Sequence, residues 1–150
     1  MGAANTFREI GAPAGICVFV ADVTKGVIAV LIAYLMGMPQ AVVLLAGVGV
    51  VAGHNWPLFL GFDGGRGEAS TIGVLLIVMP REMSILLAFA TACLAITRDV
   101  ILTSVILFVP LPLVSWLLGA PVILIAYGIA LPCLVALTHY ITTRDVPVSD

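Results

Sequence analysis

The sequence predicts an all-α fold, a polytopic bundle of helices embedded in a membrane. Hydrophobic residues make up 62% of the 150 residues and charged residues only 9%, whereas soluble domains carry roughly 25% charged residues. The mean hydropathy is +1.25. Long apolar runs recur along the chain, and a membrane-spanning helix needs about 20 predominantly apolar residues. We therefore predict one membrane domain over residues 1–150, with about six transmembrane helices.

Six apolar runs follow one another with short connections between them. The third run is short for a span, and we expect its flanks to complete it or part of it to lie at the membrane interface. Prolines mark three boundaries, because proline lacks an amide donor and fits only the first turn of a helix. Three further prolines fall inside runs and predict kinks. The predicted spans are 13–36, 41–60, 68–79, 83–97, 100–118 and 121–141, the bounding prolines are Pro39, Pro80 and Pro121, and the internal prolines are Pro110, Pro112 and Pro132.

Charge and cysteine content argue against several classes of function. A net charge of −2 with only six Lys and Arg residues leaves no basic patch, so nucleic acid is not an expected partner. Cys17, Cys93 and Cys133 lie inside apolar runs without the short pair spacings of zinc or redox sites. We expect no metal, no cofactor and no obligate protein partner, and we expect membrane lipid to surround the chain.

The distribution of positive charges predicts the orientation in the membrane. Threading six spans from the N-terminus puts four arginines on the starting side and Arg81 on the other. Lysine and arginine favour cytoplasmic loops, so the starting side is predicted to be cytoplasmic. Three polar segments then share that face: the N-terminal segment 1–12, the glycine-rich loop 61–67 and the C-terminal tail 142–150. The four arginines are Arg8, Arg66, Arg98 and Arg144.

The stretch GHNWPLFLGFDGGRGEAST, residues 53–71, gathers polar residues between two apolar runs. Glycines let a backbone approach an anion closely, and the amides that open the next helix point at it. The guanidinium of Arg66 adds a donor fork that matches phosphate oxygens. Gly64, Gly65, Arg66 and Gly67 are therefore candidates for phosphate binding, with a flexible interfacial loop as the alternative.

Other polar side chains have both a structural and a functional interpretation. Asp22 and Lys25 stand three residues apart near the middle of the first span, where an internal salt bridge is at least as good an interpretation as a functional site. His54 is interpreted more readily as a hydrogen-bonding residue than as a catalyst. Ser70 and Thr71 are placed to cap or line the third helix. Because no nucleophile motif such as G-x-S-x-G occurs, an enzyme here would position two anionic reactants rather than use a protein nucleophile.

These motifs give the chain a resemblance to a known family. The stretch 53–71 is similar to the central signature of the acyl-phosphate:glycerol-3-phosphate acyltransferases, the PlsY family, which reads approximately GHxxPxFxxFxGGKGxAT. ADVTKG at 21–26 resembles the family's LDxxKG, and GAANTFREIG at 2–11 resembles the second half of its first motif, SGNxGATNxxRxxG. Three departures accompany the likeness: the opening Ser-Gly-Asn is missing, Arg66 replaces lysine, and Thr142 replaces the asparagine of the third motif, HxxN. Family members have seven spans, so the resemblance implies that the first helix is missing.

The resemblance implies transfer of an acyl chain from acyl phosphate to the 1-hydroxyl of glycerol 3-phosphate, at a bacterial cytoplasmic membrane. The products would be lysophosphatidic acid, for phospholipid synthesis, and inorganic phosphate. It implies no metal, no coenzyme A and no protein nucleophile, because the substrate's own phosphate would help remove the hydroxyl proton. By position, Arg8 and Arg66 would hold phosphate and His139 would bind the glycerol substrate. The other implied site residues are the loop glycines Gly64, Gly65 and Gly67, the supporting Asn5 and His54, and Thr71 and Thr142.

Two alternatives stay open at the level of the sequence. The missing Ser-Gly-Asn and Thr142 would suit a catalytically impaired relative that binds a phosphorylated lipid precursor or a partner. A small membrane transporter would account for Asp22 and Lys25 within a span, although interrupted helices in two matching halves are lacking. A start at Met1 that is internal to the gene, with the first helix encoded upstream, would explain the N-terminal departure.

Overall fold

A computed structural model describes residues 3–58, 61 and 64–144. All regular structure in these residues is helical, which confirms the predicted all-α class. Eight helices follow one another within these described residues. They are α1 (Ala3–Glu9), α2 (Ala12–Leu35), α3 (Gln40–Asn55), α4 (Glu68–Val78), α5 (Pro80–Thr97), α6 (Val100–Phe108), α7 (Leu111–Leu117) and α8 (Val122–Arg144).

Prolines account for most differences between the predicted and observed helices. The span predicted at 41–60 was too long, because α3 ends at Asn55 and the residue before Pro57 is disfavoured in helical conformation. The span predicted at 100–118 is two helices, separated at 109–110, where Pro110 and Pro112 cannot donate amide hydrogen bonds. By contrast, Pro132 lies inside the continuous α8. The N-terminal α1 was not predicted.

The two helices on either side of the glycine-rich loop, α3 and α4, are shorter than a membrane span. Four stretches are long and apolar enough to cross a membrane: Ala12–Leu35, Pro80–Thr97, Val100–Leu117 and Val122–Ile141. At 1.5 Å per residue, α3 is about 24 Å long and α4 about 16 Å, both shorter than a hydrocarbon core of about 30 Å. The short third span that the sequence predicted is therefore α4.

Two glycines allow α4 to lie directly against α2. A Cβ on Gly73 would lie 3.0 Å from the carbonyl carbon of Val23, and a Cβ on Gly26 would lie 3.1 Å from the amide nitrogen of Val74. Small residues at helix interfaces permit this close backbone approach. All seven residues from 69 to 75 are buried, so α4 is the central helix of the bundle and its N-terminus is fixed beside the middle of α2.

A buried hydrogen bond joins α8 to α3 in the same core. The hydroxyl of Tyr127 donates to the carbonyl oxygen of Leu44 at 2.9 Å, and it sits over Gly47, where a side chain would displace it. The core around this bond consists of aliphatic and methionine side chains, including Val51, Leu75, Met79, Met83 and Leu131. This bond therefore ties the first half of α8 to the first half of α3, away from the end of α3 that leads into the glycine loop.

Candidate functional site

The glycine-rich loop folds back on the end of α3. The amide of Gly65 donates to the carbonyl oxygen of His54 at 3.1 Å. Side chains are excluded at three loop positions: a Cβ on Gly64 would meet the carbonyl oxygens of His54 and Asn55, one on Gly65 the His54 ring, and one on Gly67 the Asn55 amide. The glycines are required here because the loop backbone packs directly against the last two residues of α3, His54 and Asn55.

Gly67 forms the N-terminal boundary of α4 in a left-handed conformation, with φ of 74°. Glycine adopts this conformation without the steric cost that other residues carry. Among the described residues no side chain caps the helix at this boundary, and the first amides of a helix have no intrahelical partner. These amides, together with the positive end of the helix dipole, favour an anion at this position.

Three buried polar atoms beside this helix end have no hydrogen-bond partner within the described part of the chain. They are Oδ1 of Asn55 and the hydroxyls of Ser70 and Thr71. The residues themselves are 2%, 0% and 0% exposed. An unsatisfied buried polar group costs about 1–3 kcal/mol, and native proteins contain few of them. Their concentration in the first turn of α4 and next to it makes this helix end a candidate site for a polar ligand.

Helix α8 reaches the loop through Asn55. The amide Nδ2 of Asn55 donates to the hydroxyl of Thr138 at 2.9 Å, and that hydroxyl donates to the carbonyl of Leu134 at 2.9 Å. His139, the predicted glycerol-binding residue, follows Thr138 directly and is partly exposed. The pair Asn55–Thr138 therefore joins the last part of α8 to the end of α3, and His139 is the next residue along α8.

The charged pair in α2 also belongs to this region. Nζ of Lys25 lies 2.7 Å from Oδ1 of Asp22, so the ion pair that the i,i+3 spacing permits is formed. The same ammonium contacts Nδ1 of His54, and Nδ1 lies 3.5 Å from Oδ1 of Asp22. Although Asp22 and Lys25 are near the middle of α2, they are level with the end of α3 because α3 is short.

The remaining predicted site residues are exposed or lack a described contact with the glycine loop. The side chain of Arg66 is exposed between two buried glycines. Asn5 and Arg8 are exposed on α1, which crosses α2 where Phe7 covers Gly15. Neither forms a hydrogen bond or ion pair with the loop among the described residues. Thr142 is in the last turn of α8, and its side chain lies outside the described part of the chain. The predicted polar segments also include residues outside the described part, namely 1–2, 62–63 and 145–150.

Sequence reasoning missed three residues of this region. Asn55 and Thr138 form the link between α3 and α8, and Ser104 of α6 donates a hydrogen bond to the carboxylate of Glu68 in the first turn of α4. A single hydroxyl in an apolar run was the only available signal for Thr138 and Ser104. Such hydroxyls commonly bond to their own helix, as Thr91 does with Leu87 at 2.8 Å, so the signal did not distinguish them.

Comparison with known proteins agrees with the motifs. A family model described as glycerol-3-phosphate acyltransferase matches residues 1–145. The chain belongs to this family. Similar curated members of the glycerol-3-phosphate acyltransferase family include glycerol-3-phosphate acyltransferase 4 of Dehalococcoides mccartyi, 42% identical over 144 residues, which are 96% of this chain and 78% of the relative. The enzyme of a Thermoanaerobacter species is 45% identical over 119 residues, 77% of this chain and 59% of the relative.

Two solved structures of this acyltransferase family share the fold. The integral membrane glycerol 3-phosphate acyltransferase PlsY in its glycerol 3-phosphate form superposes with a TM-score of 0.82 at 29% identity, covering 95% of this chain and 72% of that one. Its lysophosphatidic acid form gives a TM-score of 0.81 and covers 74% of that chain. The family resemblance predicted from the sequence motifs is therefore confirmed, and the chain is an integral membrane protein of this acyltransferase family.

Proposed function

We propose that this chain transfers an acyl group from acyl phosphate to the 1-hydroxyl of glycerol 3-phosphate in phospholipid synthesis. The observation that carries the proposal is the group of unpartnered buried polar atoms at the end of α3 and in the first turn of α4, which belong to Asn55, Ser70 and Thr71. Both reactants carry a phosphate, and a glycine loop that leads into a helix N-terminus suits such an anion. Membership of the acyltransferase family supports glycerol 3-phosphate as the acceptor.

The reaction needs little from the protein beyond positioning and charge stabilisation. The bond between the acyl carbon and the phosphate oxygen breaks, an ester forms at the 1-oxygen of glycerol, and the hydroxyl proton leaves with the released phosphate. His54 contacts Lys25 and Asp22 rather than a serine or cysteine, so it is not arranged as the base of a protein nucleophile. Holding two reactants in line can supply about 7–11 kcal/mol of the barrier.

Several side chains are assigned substrate roles within this proposal. Arg66 and the loop amides would stabilise the phosphate that leaves, since donors aimed at developing charge are usually the largest catalytic contribution. His139 would hold the glycerol part, because Thr138 joins the last part of α8 to the end of α3. Arg8, Asn5 and Thr142 would complete the acceptor site from the two ends of the chain. We place this face in the cytoplasm of a bacterium, from the distribution of arginines.

The test uses the purified chain in lipid nanodiscs. Palmitoyl phosphate should release inorganic phosphate only when glycerol 3-phosphate is present, and lysophosphatidic acid should accumulate at the same rate. Palmitoyl-coenzyme A in place of the acyl phosphate serves as the donor control and should give no product. Binding of glycerol 3-phosphate without turnover would instead favour the catalytically impaired relative, and product from coenzyme A thioester would refute the acyl phosphate donor.

A further inference from the structure

Lys25 holds one ring nitrogen of His54. Its ammonium contacts Oδ1 of Asp22 at 2.7 Å and Nδ1 of His54. The side chains of Asp22 and His54 are only 12% and 11% exposed. The side chain of Lys25 is 38% exposed, so Asp22 and His54 lie inside the bundle and Lys25 lies at its edge, at the level where the glycine loop meets α3.

The contact decides which nitrogen of His54 carries the proton. An ammonium has three donors and no acceptor, so Nδ1 must accept from Lys25 and is unprotonated. The competing acceptor for a proton on Nδ1 is Oδ1 of Asp22, but at 3.5 Å it is beyond the normal range of about 2.7–3.2 Å. The proton of a neutral His54 is consequently on Nε2, because the hydrogen bond at one ring nitrogen determines whether the other nitrogen carries the proton.

Nε2 faces the glycine loop. A Cβ on Gly65 would overlap Nε2, so the N–H occupies the space that a side chain at position 65 would fill. Within the described residues, Nε2 has no protein hydrogen-bond partner, because the contacts of His54 are those of Nδ1 and of its backbone. The ring thus presents an uncommitted donor on the side where the loop approaches.

We propose that Lys25, held by Asp22, is a positioning residue that fixes His54 as the Nε2–H tautomer and directs this N–H at a phosphate oxygen bound by the glycine loop. The proposal rests on the proposed function for the identity of the anion. A neutral imidazole then adds a donor without adding a third charge beside Arg66 and Lys25. Lys25 would act through His54, and His54 would touch the substrate.

Nitrogen-15 NMR of histidine-labelled protein in nanodiscs tests the tautomer directly. The chain has two histidines, and His54→Gln assigns their signals. At a pH where His54 is neutral, we expect the proton on Nε2. In Lys25→Met the nearest partner of Nδ1 is Asp22, so the proton should move to Nδ1, whereas Lys25→Arg, which also only donates, should keep the wild-type tautomer. A proton on Nδ1 in the wild type, or no change in Lys25→Met, would overturn the proposal.

Ligand and activity measurements separate this inference from the proposed function. Glycerol 3-phosphate or inorganic phosphate should shift the Nε2 signal in the wild type, and Lys25→Met should lower kcat/KM by about 10- to 100-fold, the range for one hydrogen bond to a charged group. Lys25→Arg should restore most of that loss. Turnover with no shift of Nε2 on addition of either anion would overturn the role of His54 and leave the acyltransferase function intact. If the NMR signals show the predicted tautomers but the protein forms no product, the positioning role of Lys25 is supported and the acyltransferase function is refuted.

Discussion

The contact between Gly65 and the His54 ring leads to a quantitative prediction for Gly65→Ala. A Cβ at this position would lie 2.7 Å from Cε1 and 3.0 Å from Cδ2 of the ring, while ordinary contacts begin at 3.4 Å. Relieving the Cε1 contact alone needs a retreat of about 0.7 Å, and the ring or the loop must move further to clear Nε2, which lies closer still. Overpacking of this kind costs about 1–3 kcal/mol of stability. A misplacement near 1 Å in a positioned site costs about 100-fold in rate, or about 2.7 kcal/mol.

The assay is glycerol 3-phosphate-dependent phosphate release in nanodiscs, with kcat/KM compared between variants. Gly53→Ala is the matched control, because it lies in the same sequence motif and a Cβ there would meet nothing within 4 Å. Wild-type activity in Gly65→Ala would refute the packing of the loop on the ring. A double-mutant cycle gives a second check: once His54→Ala has removed the ring, adding Gly65→Ala should change the unfolding temperature little.

Three further substitutions test other parts of the site and the fold. Arg66→Ala should raise the free energy of the transition state by about 2–4 kcal/mol, which lowers kcat/KM roughly 30- to 1,000-fold. Arg66→Lys should retain most of the activity. Wild-type activity in the alanine variant would remove Arg66 from the site. Thr138→Val leaves the buried amide of Asn55 without its acceptor and should cost about 1–3 kcal/mol in thermal unfolding; an unchanged midpoint would contradict that link. Gly73→Ala should destabilise the α2–α4 contact by about 1–3 kcal/mol, whereas Gly49→Ala, which meets nothing within 4 Å, should not.

Local signals in the sequence predicted most of the helices. Apolar length and the positions of Pro39, Pro80 and Pro121 are properties of short segments, so they place helix ends to within a few residues. The apolar run at 100–118 forms one candidate span, Val100–Leu117, as predicted. The kink predicted at Pro110 and Pro112 is a break of the helix at 109–110, because two amide donors are missing there.

The arrangement of the site could not be predicted in the same way. Asp22 and Lys25 were interpreted as a pair within a span and His54 as a residue at a span end, yet the three are in contact. Their meeting depends on the length of α3 relative to α2 and on the close packing of α4 against α2 at Gly26 and Gly73, which are properties of packing between distant segments. The motif residues were identifiable by spacing, whereas Asn55–Thr138 needed the fold.

The shortness of α4 has a consequence for how an amphiphile would reach the loop. α4 and α5 share the turn at Met79 and contain 11 and 18 residues, so the start of α4 lies about 10 Å below the far end of α5 along the bundle. We therefore expect the glycine loop to be recessed toward the hydrocarbon rather than raised into water. A lipid-tailed phosphate could keep its chain among the acyl tails of the bilayer while its headgroup entered the recess sideways, so it would not have to be lifted out of the membrane to react.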